Sequence, residues 1–199
     1  MATIQEIKAL RDATGAGMGA CKEALEASGG DPEKAKLWLR QRGHQSVADR
    51  MGRVAKEGLV GSYVHNGKIA VIIEVNCETD FAAKNELFGK LVKRLAMQVA
   101  AMNPLYITRN EISPAVITSE ITQIQIQLTE AGKKYEMFEK IVPGKMEKFY
   151  QERCLVDQVL FDDPTGKMKV GDMLAEAGVA IGEKISIRRF TRYLLGDGI

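Results

Sequence analysis

A short polar turn at residues 76–81 carries the side chains that are best suited to chemistry or to recognition. It reads Asn-Cys-Glu-Thr-Asp-Phe. Thr79 or Asp80 can cap a helix that follows, because a side-chain oxygen at this position accepts a free backbone N–H. An aromatic ring directly after a cap is less ordinary, and the rim of a sheet is a place where function concentrates. Phe81 is therefore expected either to lie in the core or to point outward for use on a partner.

The residue types that support catalysis do not form a convincing set. Cys77 and His65 are a candidate cysteine–histidine pair that a hairpin could bring together, but nothing in the sequence orients a third group. Asp162 and Asp163 are adjacent, so they cannot share one helix face as an acid/base pair would require. No spacing resembles a metal site. We therefore expect a binding protein without a resident metal or cofactor, and not an enzyme.

A glycine-rich segment from Gly15 to Lys22 faintly resembles a phosphate-binding loop. A Walker loop needs Lys followed by Ser or Thr, whereas Lys22 is followed by Glu23. No strand precedes the segment, as a dinucleotide-binding fingerprint would also require. The segment is thus either a tight turn between helices or a turn whose exposed Met18 touches a partner.

Composition limits the class of protein. The chain has 199 residues, 45% of them hydrophobic, which is enough for one core with a small satellite domain. Its net charge of +2 gives no support for a general polyanion binder. There is no signal-peptide pattern and no apolar run of transmembrane length, and three widely spaced cysteines indicate a reducing compartment. We expect a cytoplasmic protein that binds neither membranes nor nucleic acid directly.

The elements that would support the turn begin with a helical head at residues 1–43. Thr3 is suited to cap a first helix, and glycine pairs end the first and second. Asp31 and Pro32 begin a third helix, which Gly43 is expected to end. Each helix is too short to be stable alone, so the three are expected to share one apolar centre.

A linker at residues 44–57, part of it helical, is predicted to lead into a core at residues 58–199. Two β-like segments flank Asn66 and Gly67, which together are the strongest short hairpin signal. The change of period from helical to alternating therefore marks the start of a sheet.

Helices and one further strand complete the predicted core. An amphipathic helix from Ala82 to Met102 has an apolar stripe that a sheet or another helix must cover. Two later helical pieces are expected to be broken at Pro143. In a last strand at residues 184–194, Arg188 and the arginine after it interrupt the alternation and indicate a bulge. The fold class is α+β, a small antiparallel three-stranded sheet packed with helices.

Three segments resemble those of a known family. Residues 10–18 (Leu-Arg-Asp-Ala-Thr-Gly-Ala-Gly-Met) and 21–25 (Cys-Lys-Glu-Ala-Leu) resemble the opening of translation elongation factor Ts. Residues 74–81 (Glu-Val-Asn-Cys-Glu-Thr-Asp-Phe) and 181–190 (Ile-Gly-Glu-Lys-Ile-Ser-Ile-Arg-Arg-Phe) resemble that family's second and third signatures. The combination is highly specific, and the resemblance covers essentially the whole chain.

The resemblance implies a guanine-nucleotide exchange factor that binds elongation factor Tu, both GDP-bound and nucleotide-free. Phe81 would wedge between two partner helices near the nucleotide, with Thr79, Asp80 and Ala82 lining the same intrusion. Displacing those partner elements would remove the Mg²⁺ and phosphate contacts that hold GDP.

The same resemblance implies a role for the head and an oligomeric state. Residues 1–43 would be a ubiquitin-associated-like domain that grips the partner through Gly17, Met18 and Lys22. Long members of the family carry two core halves, whereas this chain has one. A homodimer through the sheet or the C-terminal helices is therefore expected. One departure from the family pattern is Gln98, which stands where a histidine is common.

Two other classes of function remain open on the residues alone. One is an adaptor whose head binds a ubiquitin-like or helical ligand, in which case residues 1–50 alone would keep full affinity. The other is a ribosome- or RNA-associated protein, whose binding would fall steeply with salt. It is suggested by basic and aromatic residues in the last strand: Arg188, Arg189, Phe190, Arg192 and Tyr193.

Overall fold

The computed structural model describes residues 2–50 and 52–197, and for residues 44–49 it describes the backbone alone. An α+β fold with a three-stranded antiparallel sheet is confirmed. The elements in chain order are α1 (Ile4–Thr14), α2 (Met18–Ala27), α3 (Pro32–Arg50), β1 (Glu57–His65), β2 (Ile69–Cys77), α4 (Asp80–Ala83), α5 (Glu86–Met102), α6 (Pro114–Glu130), α7 (Phe138–Arg153), α8 (Val170–Ile181) and β3 (Ser186–Leu194).

The chain divides into two compact units. The first comprises Met1–Ala100 and Gly171–Ile199, and the second comprises Ala101–Val170. The predicted boundaries at residues 43 and 57 both fall within the first unit and stay a prediction.

Local signals begin and end the helices of the head as expected. The Thr3 hydroxyl accepts the Glu6 N–H at 3.3 Å, and the Glu6 carboxylate accepts the Thr3 N–H at 2.7 Å. Gly15 ends α1 with a φ of 70°, in the left-handed region that favours glycine. Asp31 caps α3. The three helices share one buried apolar cluster: Ile7, Leu10, Ala16, Cys21, Ala24, Leu25, Ala35 and Leu39.

The predicted end of the third helix at Gly43 is wrong, because α3 continues to Arg50. Gly43 serves close packing instead. A Cβ added there would lie 3.3 Å from both the Ala175 carbonyl oxygen and the Val179 Cγ2 atom of α8. The absence of a side chain at Gly43 thus lets α3 approach α8 closely. Because α3 extends to Arg50, the part of the predicted linker that precedes Met51 is helical.

The sheet has the order β1-β2-β3, and both pairs are antiparallel. Asn66 and Gly67 have φ values of 49° and 67°, as a tight hairpin turn requires, so the predicted hairpin is confirmed. The predicted bulge is also confirmed. Glu74 pairs with Arg189 and Val75 pairs with Ile187, which leaves Arg188 as the extra residue.

The two faces of the sheet differ. Val71, Ile73 and Val75 are buried on one face. Helix α5 lies against this side, since a Cβ added at Gly61 would overlap the Cγ1 atom of Val92. On the opposite face of β2, Ile72 is exposed, Ala70 and Glu74 are partly buried and Asn76 is buried, so the expected partial burial of β2 on both faces is confirmed.

The single helix predicted from Ala82 to Met102 is in fact two helices. Helix α4 ends at Ala83 and α5 begins at Glu86. The side-chain Oδ1 atom of Asn85 accepts the Leu87 N–H at 2.9 Å, so this side chain provides a second N-cap and restarts the helix.

In the second unit, α6 and α7 pack through Ile124, Leu128, Phe138 and Met146. The predicted break at Pro143 is wrong, because α7 runs through it. A proline removes one helical hydrogen bond, but burial of Phe138 and Met146 on either side of it holds the helix in one piece.

The same unit contains a compact charged cluster around Arg109. Its guanidinium donates to Asp157 at 2.6 Å and to Glu147 at 2.7 Å, and its Cζ atom lies 4.5 Å from the centre of the Tyr150 ring. This arrangement raises the pKa of Arg109 and lowers the pKa of Glu147. The cluster therefore ties α7 to the loops that flank it.

Among the residues described here, no helix is both long and apolar enough to cross a membrane.

Candidate functional site

The Phe81 ring points outward from a very short helix. Thr79 is extended, with a φ of −128°, and its hydroxyl accepts the Ala82 N–H at 3.3 Å, so Thr79 is the cap of α4. The ring is 81% exposed. Of the two possibilities that the sequence left open for Phe81, burial in the core is therefore wrong.

Helix α4 is anchored by its small residues. Ala82 and Ala83 are 6% and 8% exposed, and the helix contacts both β1 and β2. The buried Ala82 side chain does not face outward, so it does not belong to the surface that Phe81 presents. The expectation that Ala82 lines the intrusion into a partner concerns the bound state and stays a prediction.

An ion pair lies beside the exposed ring. The Lys84 ammonium donates to the Asp80 carboxylate at 2.7 Å and lies 6.0 Å from the centre of the Phe81 ring. The hydrogen bond from Lys84 lowers the pKa of Asp80, and the same bond raises the pKa of Lys84. The turn thus presents an apolar ring next to two opposite charges, all of them in solvent.

Two carboxylates that were not predicted as site residues hold the base of this turn. Glu183, two residues after the end of α8, accepts the N–H groups of Glu78 and Thr79 at 3.0 and 3.1 Å. Glu78 in turn accepts the Lys184 N–H at 2.6 Å, and this bond is the main cause of its lowered pKa. We call Glu78 and Glu183 the carboxylate clamp. The only sequence signal for Glu183 was its position in the segment 181–190 that resembles the family's third signature.

The head residues that the resemblance suggested lie on the surface. Gly17 precedes α2 and is exposed. Met18 is 39% exposed, and the Lys22 side chain is largely exposed and lies 4.0 Å from Glu26. Because Met18 and Lys22 are one helical turn apart, they share one face of α2.

Cys77 and His65 are not brought together. In the hairpin register, Cys77 of β2 pairs with Glu57 while His65 of β1 pairs with Ile69, so the two residues lie at opposite ends of the hairpin. Burial raises the pKa of the Cys77 thiol, and the charge of Glu183 raises it further. The thiol donates to the Thr79 carbonyl oxygen at 3.2 Å, so its contact here is structural.

Comparison with known proteins gives a consistent result. The family model described as Elongation factor TS matches residues 39–197. A protein of Myxococcus xanthus named Elongation factor Ts is 51% identical over 195 residues, which cover 98% of this chain and 89% of that protein. Its namesake in Moorella thermoacetica is 48% identical over 200 residues, which cover 100% of this chain and 98% of that protein. The resemblance seen in the sequence is thereby confirmed, and the chain belongs to the elongation factor Ts family, whose role lies in translation elongation.

Proposed function

We propose that this protein is a guanine-nucleotide exchange factor for elongation factor Tu and that the Phe81 turn is its acting element. The observation that carries the proposal is a phenylalanine ring that is 81% exposed on a capped helix of four residues. Membership of the elongation factor Ts family supports the choice of partner. The protein acts by binding and not as an enzyme, and it works in the cytoplasm, where translation elongation takes place.

The exchange step follows from differential binding. A GTPase holds the phosphates of GDP through backbone N–H groups and an octahedral Mg²⁺ that tolerates little distortion. Burying the Phe81 ring between elements of the partner contributes about 1.5–3 kcal/mol, which is available to displace those elements. Because coupling is reciprocal, this protein and GDP weaken each other's binding. Release of GDP therefore needs no covalent step.

Thr79 and Asp80 have distinct parts in this step. The Thr79 cap fixes the start of α4 and so the direction of Phe81. Asp80 is held by Lys84 in the free protein, and it exchanges this partner for a donor on the GTPase when the ring inserts. An exposed pair of this kind is weak, so the exchange of partners has a small energetic cost.

The head supplies a second contact. We assign to it the exposed surface of Gly17, Met18 and Lys22, on a ubiquitin-associated-like domain of residues 1–43 that a linker at residues 44–57 joins to the core. Two contacts on one partner raise affinity without requiring a large surface at the acting turn. The head can therefore hold the GTPase in both the GDP-bound and the nucleotide-free state.

The open face of the sheet supports a homodimer. Val60, Val64, Ile72 and Tyr193 are between 52% and 69% exposed on this face. An apolar patch of this kind is typical of a surface that binds another protein. The same patch on a second copy is complementary across a two-fold axis, so the dimer interface would be isologous.

A nucleotide-release assay tests the proposal. Elongation factor Tu loaded with fluorescent GDP is mixed with excess unlabelled GDP in a stopped-flow instrument, with and without this protein. We expect the release rate to rise with the concentration of this protein until it saturates. A release rate that stays unchanged at every concentration of this protein would show that the proposed function is wrong.

A further inference from the structure

The Glu183 carboxylate contacts the Phe81 turn at three donors. Its Oε2 atom accepts the N–H groups of Glu78 and Thr79, at 3.0 and 3.1 Å. Its Oε1 atom accepts the Thr79 hydroxyl at 2.5 Å. Hydrogen bonds to an ionised acceptor are short and about twice as strong as neutral ones. One side chain from a distant part of the sequence therefore fixes both the backbone and the hydroxyl of the cap residue.

The Thr79 hydroxyl transmits this contact to α4. Since its proton is donated to Glu183, its lone pairs are free to accept the Ala82 N–H, at 3.3 Å. A hydroxyl whose proton has no fixed acceptor rotates among several orientations. Glu183 thereby orients the hydroxyl that caps the helix carrying Phe81.

The anchor behind Glu183 is itself held in place. Gly182 has a φ of 85°, which allows the chain to turn sharply after α8. The Arg50 guanidinium donates to the Gly178 carbonyl at 2.9 Å and to the Glu183 carbonyl at 3.3 Å. The second half of the carboxylate clamp, from Glu78 to the Lys184 N–H, closes the arrangement.

Contacts of the Phe81 ring with its own chain do not fix the direction of the ring. Phe81 is 81% exposed, so packing against its own chain contributes little to its direction. Helix α4 has four residues, fewer than a helix needs to be stable alone. The direction of the ring is therefore set by the backbone of the turn, and the clamp holds that backbone.

We propose that Glu183 is a positioning residue that holds the Phe81 turn ready for insertion into the GTPase. This inference rests on the proposed function. Its physical content is preorganisation: a turn that is already ordered loses less conformational entropy on binding than a mobile one. Removing the clamp should therefore lower the rate of GDP release within the complex.

The first test uses the free protein and needs no GTPase. A Trp38→Phe/Phe81→Trp variant carries its only tryptophan at the position of the ring, and its time-resolved fluorescence anisotropy reports local motion there. Adding Glu183→Ala should increase the amplitude of fast depolarisation. Adding Asp163→Ala is the matched control, because that carboxylate also accepts backbone N–H groups, from Thr165, Lys167 and Met168, in the second unit. Equal anisotropy decays with and without Glu183→Ala would overturn the proposal.

The second test is a double-mutant cycle on GDP release at saturating concentration of this protein. Glu183→Ala should lower the maximal release rate about tenfold, which corresponds to about 1.4 kcal/mol. In a Phe81→Ala background it should have no further effect, because there is no ring left to position. Glu183→Gln keeps an oxygen that accepts N–H groups and should restore part of the rate. Equal losses in both backgrounds would indicate a general structural role and overturn the proposal.

If far-ultraviolet circular dichroism shows that the Glu183→Ala variant does not fold, a second variant replaces it in both tests. Thr79→Val removes the hydroxyl that links Glu183 to α4, and it should reproduce the losses in both tests. If the wild-type protein does not accelerate GDP release at all, the proposed function is wrong, while the anisotropy measurement still decides whether Glu183 orders the turn.

Discussion

Asp80 and Lys84 form an ion pair with a distance of 2.7 Å, and both side chains lie in solvent beside the Phe81 ring. The hydrogen bond from Lys84 is the largest cause of the lowered pKa of Asp80. In the free protein, the Asp80 carboxylate is thus paired with Lys84, and this exposed ion pair is easily broken.

Replacing Lys84 should change the titration of Asp80 much more than the stability of the fold. In Lys84→Met, the pKa of Asp80 should rise toward its ordinary value, as followed by NMR of the side-chain carboxyl carbon. The free energy of unfolding should stay close to that of the wild type, because exposed pairs four residues apart on a helix contribute little. An unchanged Asp80 pKa would contradict the observed pairing.

Removing the Phe81 ring should reduce exchange without unfolding the protein. Phe81→Ala loses the burial of one aromatic side chain in the partner, which predicts a release rate about 10- to 150-fold lower. The midpoint of thermal unfolding should stay within about 2 °C of the wild type, because exposed substitutions rarely affect stability. Tyr135→Ala is the matched control, since that ring is 78% exposed in the second unit. Equal release rates for Phe81→Ala and the wild type would remove Phe81 from the mechanism.

Replacing Gly58 and Gly89 by alanine should change the free energy of unfolding in opposite directions. Gly58 has a φ of 149°, and an added Cβ would overlap the Val75 carbonyl oxygen and lie 2.8 Å from the Asn76 Cα. Gly58→Ala should therefore destabilise the fold by about 1–3 kcal/mol. Gly89 lies in α5 with nothing within 4 Å of an added Cβ, so Gly89→Ala should stabilise it by about 0.5–1 kcal/mol. Urea unfolding measures both changes, and a neutral Gly58→Ala would contradict the close approach of β1 and β2.

A charge on the open sheet face should separate the proposed dimer. Ile72→Lys places an ammonium in the centre of the apolar patch, and two such groups would face each other across the two-fold axis. Sedimentation velocity should show a shift from dimer to monomer. Val54→Lys, at a residue 68% exposed outside the sheet, is the control and should remain dimeric. A wild-type protein that sediments as a monomer would show that the dimer proposal is wrong.

The Cys154 thiol should make stability fall at alkaline pH. Burial raises its pKa from 9.0 to about 11, so the folded state binds this proton more tightly than the unfolded state. The contribution is complete below the unfolded pKa and is lost as pH rises through the folded pKa, between about 9 and 11. The free energy of unfolding of Cys154→Ala should decline less steeply with pH over this range. Parallel curves for the two proteins would contradict the raised pKa.

Sequence alone determined the features that depend on a few neighbouring residues. The hairpin at Asn66 and Gly67 needs only the positive φ values that these residue types tolerate. The same holds for the caps at Thr3 and Asp31 and for the bulge at Arg188. Family signatures added the expected class of partner, because whole motifs carry more information than their separate residues.

Tertiary structure decided whatever depends on residues that are far apart in sequence. Gly43 has the residue type of a helix end, but its place in the fold is set by the close packing of α8 against it. Pro143 is tolerated within α7 because Phe138 and Met146 on either side of it are buried. The direction of Phe81 was open for the same reason. A ring after a cap faces outward or inward according to what anchors the backbone beneath it, and Glu183 is 104 positions away from Thr79.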